Sequence, residues 1–364
     1  MKTGKEVYPK YTIQRNAVIY KTREDLLRYS QAFKLEIQIL SAIEEKNFDV
    51  VVNDLMVRAK QNYFDLIKDK EDSKDSDLPK FLRRYTSADT YIRCLSYCVS
   101  ILEQRKSYSE AVYVLRDILL CQTIYCVDMR GRWYERLSLD LNKHLKDPIS
   151  ALEVIEKGLS DDFVRTGHRL SLYNRQKSIQ KSFKTKICLM SEYESIKYKE
   201  TTIFAQTIKY TINDRKNIFK TIDSNGDVTI MSVEDIVINH YKSNGFSDGI
   251  HTESRIYHSI LCLLFWDIIY LSQSEDTVDA FRFEYQRLPL DFNCDQFFIR
   301  RKPQISSHLN SLREMSETEM THILQNSWDN HFGTLSLINW ENNDIKQIKV
   351  KQIVLKSLFN LCLF

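Results

Sequence analysis

The sequence predicts a mainly helical protein that changes to mixed α/β structure in its second half. Only 8 glycines and 5 prolines occur in 364 residues, and neither residue suits the interior of a helix. In the first half, two helical stretches repeat at an offset of 40 residues. From about Thr201, short segments rich in β-branched and aromatic residues replace the helical periodicity, which predicts strands.

The chain begins with a lead-in, residues 1–22, that contains the strand-like stretch YTIQRNAVIY. Helical spacing of apolar residues starts near Glu24, so a helical domain is predicted over residues 23–195. The charged, serine-containing stretch from Lys68 to Pro79 predicts a loop within that domain.

The repeat consists of YSEAVYVLRDILL (Tyr108–Leu120) and PISALEVIEKGLS (Pro148–Ser160). A longer amphipathic helix precedes each stretch, over residues 91–104 and 133–145. Helix pairs with a small residue early in the second helix are typical of tetratricopeptide-like arrays, although this spacing exceeds their usual ~34 residues. The pattern therefore favours a tetratricopeptide-like helical domain.

The second half alternates strand-like and helical segments. The stretches TIFAQTIKYTI, NIFKTID and DVTIMS predict strands, and SVEDIVINHYKSNGF predicts a helix that starts after Ser232 and stops at Gly245. A second helix is predicted within GIHTESRIYHSILCLLFWDIIY (Gly249–Tyr270).

Global charge does not indicate a nucleic-acid-binding protein, because the net charge is only +3. Locally, the window of residues 161–186 is basic, which fits either a phosphate-tracking strip or a solvated helix face. Its cations are Arg165, His168, Arg169, Arg175, Lys177, Lys181, Lys184 and Lys186.

The sequence predicts a soluble intracellular protein. The N-terminus lacks the apolar run of a secretory signal, and the longest apolar run, Ile256–Leu271, is shorter than a membrane span. Of the eight cysteines, Cys94 and Cys98 share a helix face, but no further ligands complete a zinc set. Buried free thiols are the favoured interpretation.

The stretch DSNGDVTIMSVE (Asp223–Glu234) has carboxylates and an amide at the spacing of a calcium-binding loop. The position that requires glycine holds Val228, however. An Asn225-Gly226 turn between two short strands accounts for the same residues and is favoured.

Two stretches could form a phosphate site. RGRWYERLSLDL and VRTGHRLSLYNR each place arginine or histidine beside glycine at the start of a helix, where free N–H groups attract anions. The alternative is that Arg130, Arg132 and His168 pair with nearby carboxylates or carbonyls.

Glu253 is the candidate catalytic carboxylate. The simpler interpretation is a first-turn glutamate that the helix dipole stabilises by less than ~1 kcal/mol. Asp267 lies fourteen residues later, which corresponds to ~21 Å along one helix. On that geometry the two carboxylates could not bind one metal ion together.

Several long blocks of the sequence resemble the Fanconi-associated nuclease family. They occur in the same order as in that family and span roughly residues 8–349. They include YTIQRNAVIYKTREDLLRY, LLCQTIYCVDMRGRWYERLSLDLNKHL, VRTGHRLSLYNR, SVEDIVINHYKSNGFSDGIHTES, LLFWDIIY, LPLDFNCDQFFIRRKP and GTLSLINW. The resemblance implies a structure-specific, 5′-flap-type DNA nuclease of interstrand-crosslink repair. It implies a tetratricopeptide-like array followed, over residues 196–349, by the N-terminal part of a restriction-endonuclease-like nuclease domain of the virus-type replication-repair class.

The resemblance also implies roles for three residues. Glu253 matches the family's first metal-binding glutamate, with Mg²⁺ or Mn²⁺ as the cofactor. Arg132 and His168 match residues that form the pocket for the DNA 5′ phosphate. The implied partner is branched or flapped DNA with a 5′ phosphate, in the nucleus. The resemblance is also compatible with Fanconi-pathway proteins as partners and with a homodimer on DNA.

This sequence departs from the family pattern near its end. The family's Pro-Asp motif does not occur, and the one Glu-x-Lys, Glu44-Glu45-Lys46, lies in the helical domain. Residues 350–364 form a divergent apolar tail. Since one carboxylate does not hold Mg²⁺ or Mn²⁺ tightly, the expectation is an incomplete metal site and DNA binding without cleavage. The alternative function is a non-catalytic helical-repeat module that binds DNA or protein.

Overall fold

The structure is a computed structural model of the chain. It describes residues 6–68, 75–183, 200–208, 218–222, 228–246, 249, 251, 255–271 and 277–340. Parts of the strand-rich segment, the metal-site candidate Glu253 and the apolar tail lie outside these ranges.

Three helical hairpins build the first half of the molecule. Each pairs two antiparallel helices, and a seventh helix packs against the last pair. The helices are α1 (Arg23–Glu44), α2 (residues 48–68), α3 (Ser87–Gln104), α4 (residues 108–119), α5 (residues 130–144), α6 (Pro148–Ser160) and α7 (Thr166–Phe183). Short 3₁₀ turns, Lys80–Tyr85 and Val127–Met129, precede α3 and α5.

Three of these helices include a π-helical turn, in which one extra residue is accommodated without ending the helix. The turns are Val51–Leu55 in α2, Val114–Leu119 in α4 and Asp140–His144 in α5. The remaining parts are Phe48–Val50 and Met56–Lys68 of α2, Tyr108–Tyr113 of α4 and Arg130–Leu139 of α5.

The three hairpin turns share one backbone device. Lys46, Lys106 and Lys146 have φ of 59°, 61° and 58°, in the left-handed region that reverses the chain after a helix. The next residue in each turn is asparagine, serine or aspartate, types suited to the start of a helix. The sequence pattern predicted the second and third hairpins, and the structure adds the first as another copy.

One continuous apolar core runs through this helical array, from Ala32 to Ile179. The positions that align in the repeat are buried in both copies, which confirms the predicted helix pairs. They are Ala111 with Ala151, Leu115 with Ile155, and Leu119 with Leu159. Small alanines at the first of these positions let neighbouring helices approach closely.

The middle of the chain contains a three-stranded antiparallel sheet in the order β1 (Gln206–Ile208), β2 (Ile218–Ile222) and β3 (Val228–Met231). Each strand falls in a predicted stretch. Residues 223–227, which include most of the calcium-loop candidates, lie outside the described residues. Ile222 pairs with Val228 across them, which agrees with the favoured hairpin interpretation.

Helix α8 (Val233–Ser243) follows the sheet and confirms the predicted caps. The Ser232 hydroxyl accepts from the Asp235 N–H, and the Asp235 carboxylate accepts from the Ser232 N–H. After the helix, Gly245 has φ of 95°, a conformation that glycine adopts without strain.

The C-terminal region, residues 255–340, is built from short helices around a second apolar core. They are α9 (Arg255–Leu264), α10 (Trp266–Ile269), α11 (Asp295–Arg300), α12 (Lys302–Glu314) and α13 (Glu317–His331). The single helix predicted up to Tyr270 is wrong, because the chain breaks at Phe265 between α9 and α10. The straight-helix distance between Glu253 and Asp267 therefore does not apply.

An N-terminal strap, residues 6–20, connects the C-terminal region to the array. Val7 forms one parallel β-bridge with Thr334, but the predicted strand YTIQRNAVIY is wrong, since no strand forms there. Side chains replace a partner strand: the Asp279 carboxylate accepts from the N–H groups of Asn16 and Ala17 at 3.0 to 3.1 Å.

The strap is also held by an aromatic contact. The ring of Tyr11 stacks on Phe281 with centroids 3.9 Å apart, and its hydroxyl donates to the carbonyl of Phe283. At the other end, the Tyr20 hydroxyl donates to the carbonyl of Tyr85 in the array. The strap therefore links the two regions by specific contacts.

Cys94 and Cys98 of α3 are free and fully buried, which confirms their interpretation as core thiols. Burial raises the pKa of the Cys98 thiol to about 12. In the described part of the chain, no helix has both the length and the apolar character needed to cross a membrane.

Candidate phosphate-binding site

The two candidate phosphate motifs meet where α5 packs against α7. Gly131, in RGRW, lies directly beneath His168, in RTGH. A Cβ added to Gly131 would lie 2.6 Å from the Cγ and Cδ2 atoms of the His168 ring. Glycine is therefore required for this approach of the two helices, and the contact brings the two motifs together although 37 residues separate them.

A second glycine supports the same packing. A Cβ on Gly158 of α6 would lie 2.8 Å from Leu172 of α7 and 2.9 Å from the Tyr134 ring of α5. The helices α5, α6 and α7 therefore pack closely around two glycines. This rigid packing fixes the direction of the side chains that α5 and α7 present to solvent.

His168 has a carboxylate partner. Its Nδ1 lies 3.0 Å from Oε1 of Glu135, and its side chain is about one third exposed (34%). The alternative that the sequence left open, pairing with a carboxylate, therefore holds for His168 in the structure.

Arg132 differs from His168 in having no such partner. Its side chain is exposed, and it forms no hydrogen bond or ion pair with any described residue. One residue along a helix corresponds to about 100°, so Arg132 projects beside the face on which His168 covers Gly131. With Arg136, Tyr108 and His144 it lines a groove of about 510 Å³.

Arg130 is a structural residue and not a site residue. It is buried, its Nη2 lies 2.6 Å from Oδ2 of Asp161, and it also donates to the carbonyls of Leu120 and Gln122. Its guanidinium is therefore satisfied, as the pairing alternative proposed.

The basic window proves to contain both paired and unpaired cations. Arg165 lies 2.7 Å from Asp128, and Arg169 donates to the Asp161 carbonyl at 3.0 Å. Lys177 and Lys181 are exposed, whereas Lys184 and Lys186 lie outside the described residues. Arg175 is half-buried and makes no hydrogen bond or ion pair within the described ranges.

A buried acidic group lies further along α5. Arg136 donates from Nε to Glu103 at 2.9 Å, and the fully buried carboxyl of Asp140 lies near this pair. Burial, reinforced by the charge of Glu103, raises the pKa of Asp140 to about 7. The groove is therefore cationic at Arg132 and largely neutralised at Arg136.

The predicted metal ligand cannot be placed in this geometry, because Glu253 lies outside the described residues. Asp267, the other acid considered with it, is exposed on α10. Within the described ranges, no group of three or more histidine, cysteine, aspartate or glutamate side chains is arranged to hold a metal ion. Of the predicted site residues, His168 packs over Gly131, the residue before Arg132, and Arg132 lines a groove whose lining residues do not include His168.

Glu135 and Arg175 were not recognised from the sequence as members of this site. Their positions carry a weak signal: Glu135 follows Arg132 by three residues, and Arg175 follows His168 by seven, so each shares a helix face with a predicted residue. The contact between the two helices was needed to combine these faces.

Comparison with known proteins gives the same motifs a family context. The family model described as the TPR domain of Fanconi-associated nuclease 1 matches residues 25–180. Fanconi-associated nuclease 1 of Danio rerio is 35% identical over 354 residues, and the match covers 93% of this chain and 35% of that protein.

The Homo sapiens protein of that name is 34% identical over 351 residues, with 93% of this chain and 34% of the relative covered. A homolog from Caenorhabditis elegans is 29% identical over 335 residues, and the match covers 89% of this chain and 38% of the homolog. The chain therefore spans about a third of the length of these curated relatives.

Solved structures share the fold. The crystal structure of paFAN1 bound to 1-nt 5′-flap DNA with a gap superposes with a TM-score of 0.57 at 13% identity. The match covers 98% of this chain and 55% of that one. A second paFAN1 structure, with 2-nt 5′-flap DNA, gives a TM-score of 0.56.

Proposed function

Because this chain belongs to the Fanconi-associated nuclease family, we propose that it forms the DNA-end-binding part of a structure-specific DNA nuclease. In this proposal, Arg132 and His168 bind the 5′ phosphate of branched or flapped DNA. The activity belongs to interstrand-crosslink repair in the nucleus. The substrate in the paFAN1 structures, 5′-flap DNA, supports a flap as the ligand.

One observation carries the proposal: Arg132 is exposed, has no described polar partner, and follows Gly131, the residue against which His168 packs. A guanidinium presents several N–H donors in one plane and binds phosphate oxygens in pairs. An unpaired arginine at this helix contact therefore suits a terminal phosphate, whose charge exceeds that of a phosphodiester.

The proposed metal site rests on the resemblance alone. The carboxylate of Glu253 is a hard oxygen donor of the kind that Mg²⁺ and Mn²⁺ prefer. A divalent metal bound there would polarise the scissile phosphate and help to generate the attacking hydroxide. Since the chain holds one of the family's metal-binding carboxylates, we expect the 364-residue polypeptide to bind DNA without cleaving it.

The binding proposal is tested by comparing 5′-phosphorylated with 5′-hydroxyl flap DNA in a fluorescence anisotropy titration. We expect about tenfold tighter binding of the phosphorylated flap, corresponding to one charge-assisted contact, and loss of that preference in Arg132→Gln. Arg58→Gln is the matched control, because Arg58 is an exposed arginine of α2 that already pairs with Asp54. An unchanged preference in Arg132→Gln would contradict the proposal.

Cleavage is tested with the same phosphorylated flap and Mn²⁺. The expected result is an intact substrate. Product formation that Glu253→Ala abolishes would show that this polypeptide contains a complete metal site after all.

The second candidate function is a non-catalytic protein-binding module. It is favoured by the outer face of α1, where four apolar side chains are 44% to 49% exposed at helical spacing. They are Leu26, Phe33, Ile37 and Leu40. A second copy of the chain or a Fanconi-pathway protein would be the partner, and equal binding of both flaps by wild type would favour this function.

A further inference from the structure

The arginines between positions 130 and 175, on α5, on α7 and just before α7, divide into two groups. Among the described residues, four of the six between positions 130 and 175 form hydrogen bonds or ion pairs, namely Arg130, Arg136, Arg165 and Arg169. Arg132 and Arg175 form neither. Arg132 is the proposed 5′-phosphate ligand, which raises the question of what Arg175 binds.

We infer that Arg175 binds the phosphodiester that follows the 5′-terminal nucleotide, so that the site holds two consecutive phosphates. This inference rests on the proposed function, because the first phosphate is the one placed at Arg132 and His168. No contact within the described protein accounts for the Arg175 guanidinium.

Helix geometry places Arg175 on the same side as the proposed phosphate site. Seven residues are close to two turns, so Arg175 and His168 share a face of α7, ~10.5 Å apart along its axis. On α5, Glu135 and Arg136 follow Arg132 by three and four residues and share its face. The two faces meet where Glu135 contacts His168.

Electrostatics connect Arg175 to that junction. Glu135 attracts it and Arg136 repels it, so Arg175 lies near both residues of α5. Glu103 is already bound to Arg136, and Glu135 is shared with His168. Glu135 contacts His168 and forms no ion pair with Arg175, and Arg132 is also unpaired, which leaves an excess of positive charge for an anionic strand.

The burial of Arg175 gives a second, independent reason to expect a phosphate at its guanidinium. Its Nε is shielded from solvent and has no hydrogen-bond acceptor in the described part of the chain. Burial also lowers the pKa of this guanidinium, because desolvation disfavours its charged form. A phosphodiester oxygen would supply the missing acceptor, and buried donors are costly without one.

The test uses short nucleotides that carry one or two phosphates, as competitors of a labelled 5′-phosphorylated flap. Deoxythymidine 5′-monophosphate, pT, reports on the terminal phosphate, and the dinucleotide pTpT adds the phosphodiester. We expect Arg175→Gln to reduce the affinity for pTpT about tenfold and to leave the affinity for pT unchanged. Arg132→Gln should weaken both.

Two further variants test whether lost packing or lost charge, and not a lost phosphate contact, explains a reduced affinity. Arg175→Lys keeps the charge and the apolar stem but removes the planar fork, so an intermediate loss for pTpT is expected. Arg58→Gln is the charge control. On the full flap, Arg175→Gln should also reduce the slope of log Kobs against log salt concentration by about 0.7, the value for one phosphate contact on a single strand.

The two levels of the inference fail in different ways. If Arg132→Gln weakens the binding of pT but Arg175→Gln binds pTpT as tightly as wild type, Arg175 does not bind a phosphate and the proposed function stands. If wild type binds neither nucleotide and ignores the 5′ phosphate of the flap, both the proposed function and this inference fail. If Arg175→Gln loses as much affinity for pT as for pTpT, the assignment of Arg175 to the second phosphate is also overturned.

Discussion

The helical array and the C-terminal region both bury ion pairs, but to different depths. The side chains of Arg130 and Asp161 in the array are 5% and 9% exposed, whereas those of Arg301 and Asp291 in the C-terminal region are 0% exposed. The array is organised around one apolar core that runs from Ala32 to Ile179. The C-terminal region has a smaller apolar core, and next to it lies Asp291, whose fully buried carboxylate binds Arg300 and Arg301. The Arg301 side chain is itself fully buried.

The difference concerns how each region responds to damage. An apolar core loses stability in proportion to the volume removed at one position. A buried ion pair is stable only when complete, because removal of one partner leaves the other charge without water or counter-ion. The Asp291–Arg301 pair, which has no exposure, should therefore be more sensitive to loss of one partner than the Arg130–Asp161 pair of the array.

The largest effect is expected for Asp291→Ala. It leaves the Arg301 guanidinium buried without its carboxylate, which should cost about 3–5 kcal/mol of the free energy of unfolding. Tryptophan fluorescence during urea unfolding reports the result, because Trp266, Trp328 and Trp340 lie in the C-terminal region and Trp133 lies in the array.

Asp295→Ala is the matched control for Asp291→Ala. The Asp295 carboxylate is 67% exposed and lies 3.7 Å from Arg165, so its loss should change stability by at most about 0.5 kcal/mol. Equal effects of the two substitutions would show that the buried pair is not what distinguishes the region.

A smaller effect is expected for Asp279→Ala, which separates the two regions by releasing the strap. The carboxylate accepts from two strap N–H groups and pairs with Arg282, so its removal should cost about 1–3 kcal/mol. Hydrogen exchange at Asn16 and Ala17 should accelerate while α3 stays protected.

Asp279 has φ of 63°, so alanine also introduces backbone strain at this position. Asp279→Asn separates the two causes, because asparagine tolerates that conformation and keeps one acceptor oxygen. It should accelerate strap exchange less than alanine does. Identical exchange in the two variants would assign the effect to lost charge.

The array also buries the carboxyl of Asp140, and this group should make stability depend on pH. The pKa of Asp140 is about 7 in the folded protein against an ordinary 3.8, so folding favours the protonated form. Stability from this group is present in acid and is lost as pH rises from about 4 through about 7. The urea midpoint of wild type should fall over that range.

Asp140→Asn should flatten this dependence and make the variant more stable than wild type above pH 7. Asp147→Asn is the opposite control, since hydrogen bonds from Ser150 lower the pKa of Asp147. That cap contributes stability at neutral pH that is lost on acidification. A wild-type midpoint that rises from pH 5 to pH 8 would contradict the assignment to Asp140.

The smallest effect is expected at a hairpin turn of the array. Lys106→Gly relieves a left-handed residue and should stabilise the protein by up to about 1 kcal/mol, less the entropy that glycine gains when unfolded. Lys157→Gly, in the exposed face of α6, should destabilise by a similar ~1 kcal/mol. Thermal melting of both variants checks the opposite signs.

Local chemistry made several elements predictable. The Ser232 cap, the Gly245 stop and the repeated helices at 108–119 and 148–160 depend on neighbours within a few residues, and all are in the structure. The strap was not predictable in this way. Its apolar alternation resembles a strand, but its hydrogen-bond partners, such as Asp279, lie more than 260 residues away.

The candidate site shows the same limit. Arg169 and Arg175 are both arginines of α7 and look equivalent in a basic window. Arg169 binds the Asp161 carbonyl, whereas Arg175 faces Glu135 and Arg136 of another helix without a hydrogen bond. Charge patterns count cations, but the packing of α5 on α7 determines which of them are available to a ligand.

The strap also sets the order of events during synthesis. Its residues leave the ribosome before the array and the C-terminal region, and Asp279 follows Asn16 by 263 positions, a delay of about 13–50 s at ~5–20 residues per second. The array completes its hairpins from local contacts during that interval. Closure of the strap is therefore the last step, which joins the two regions only after both have been made.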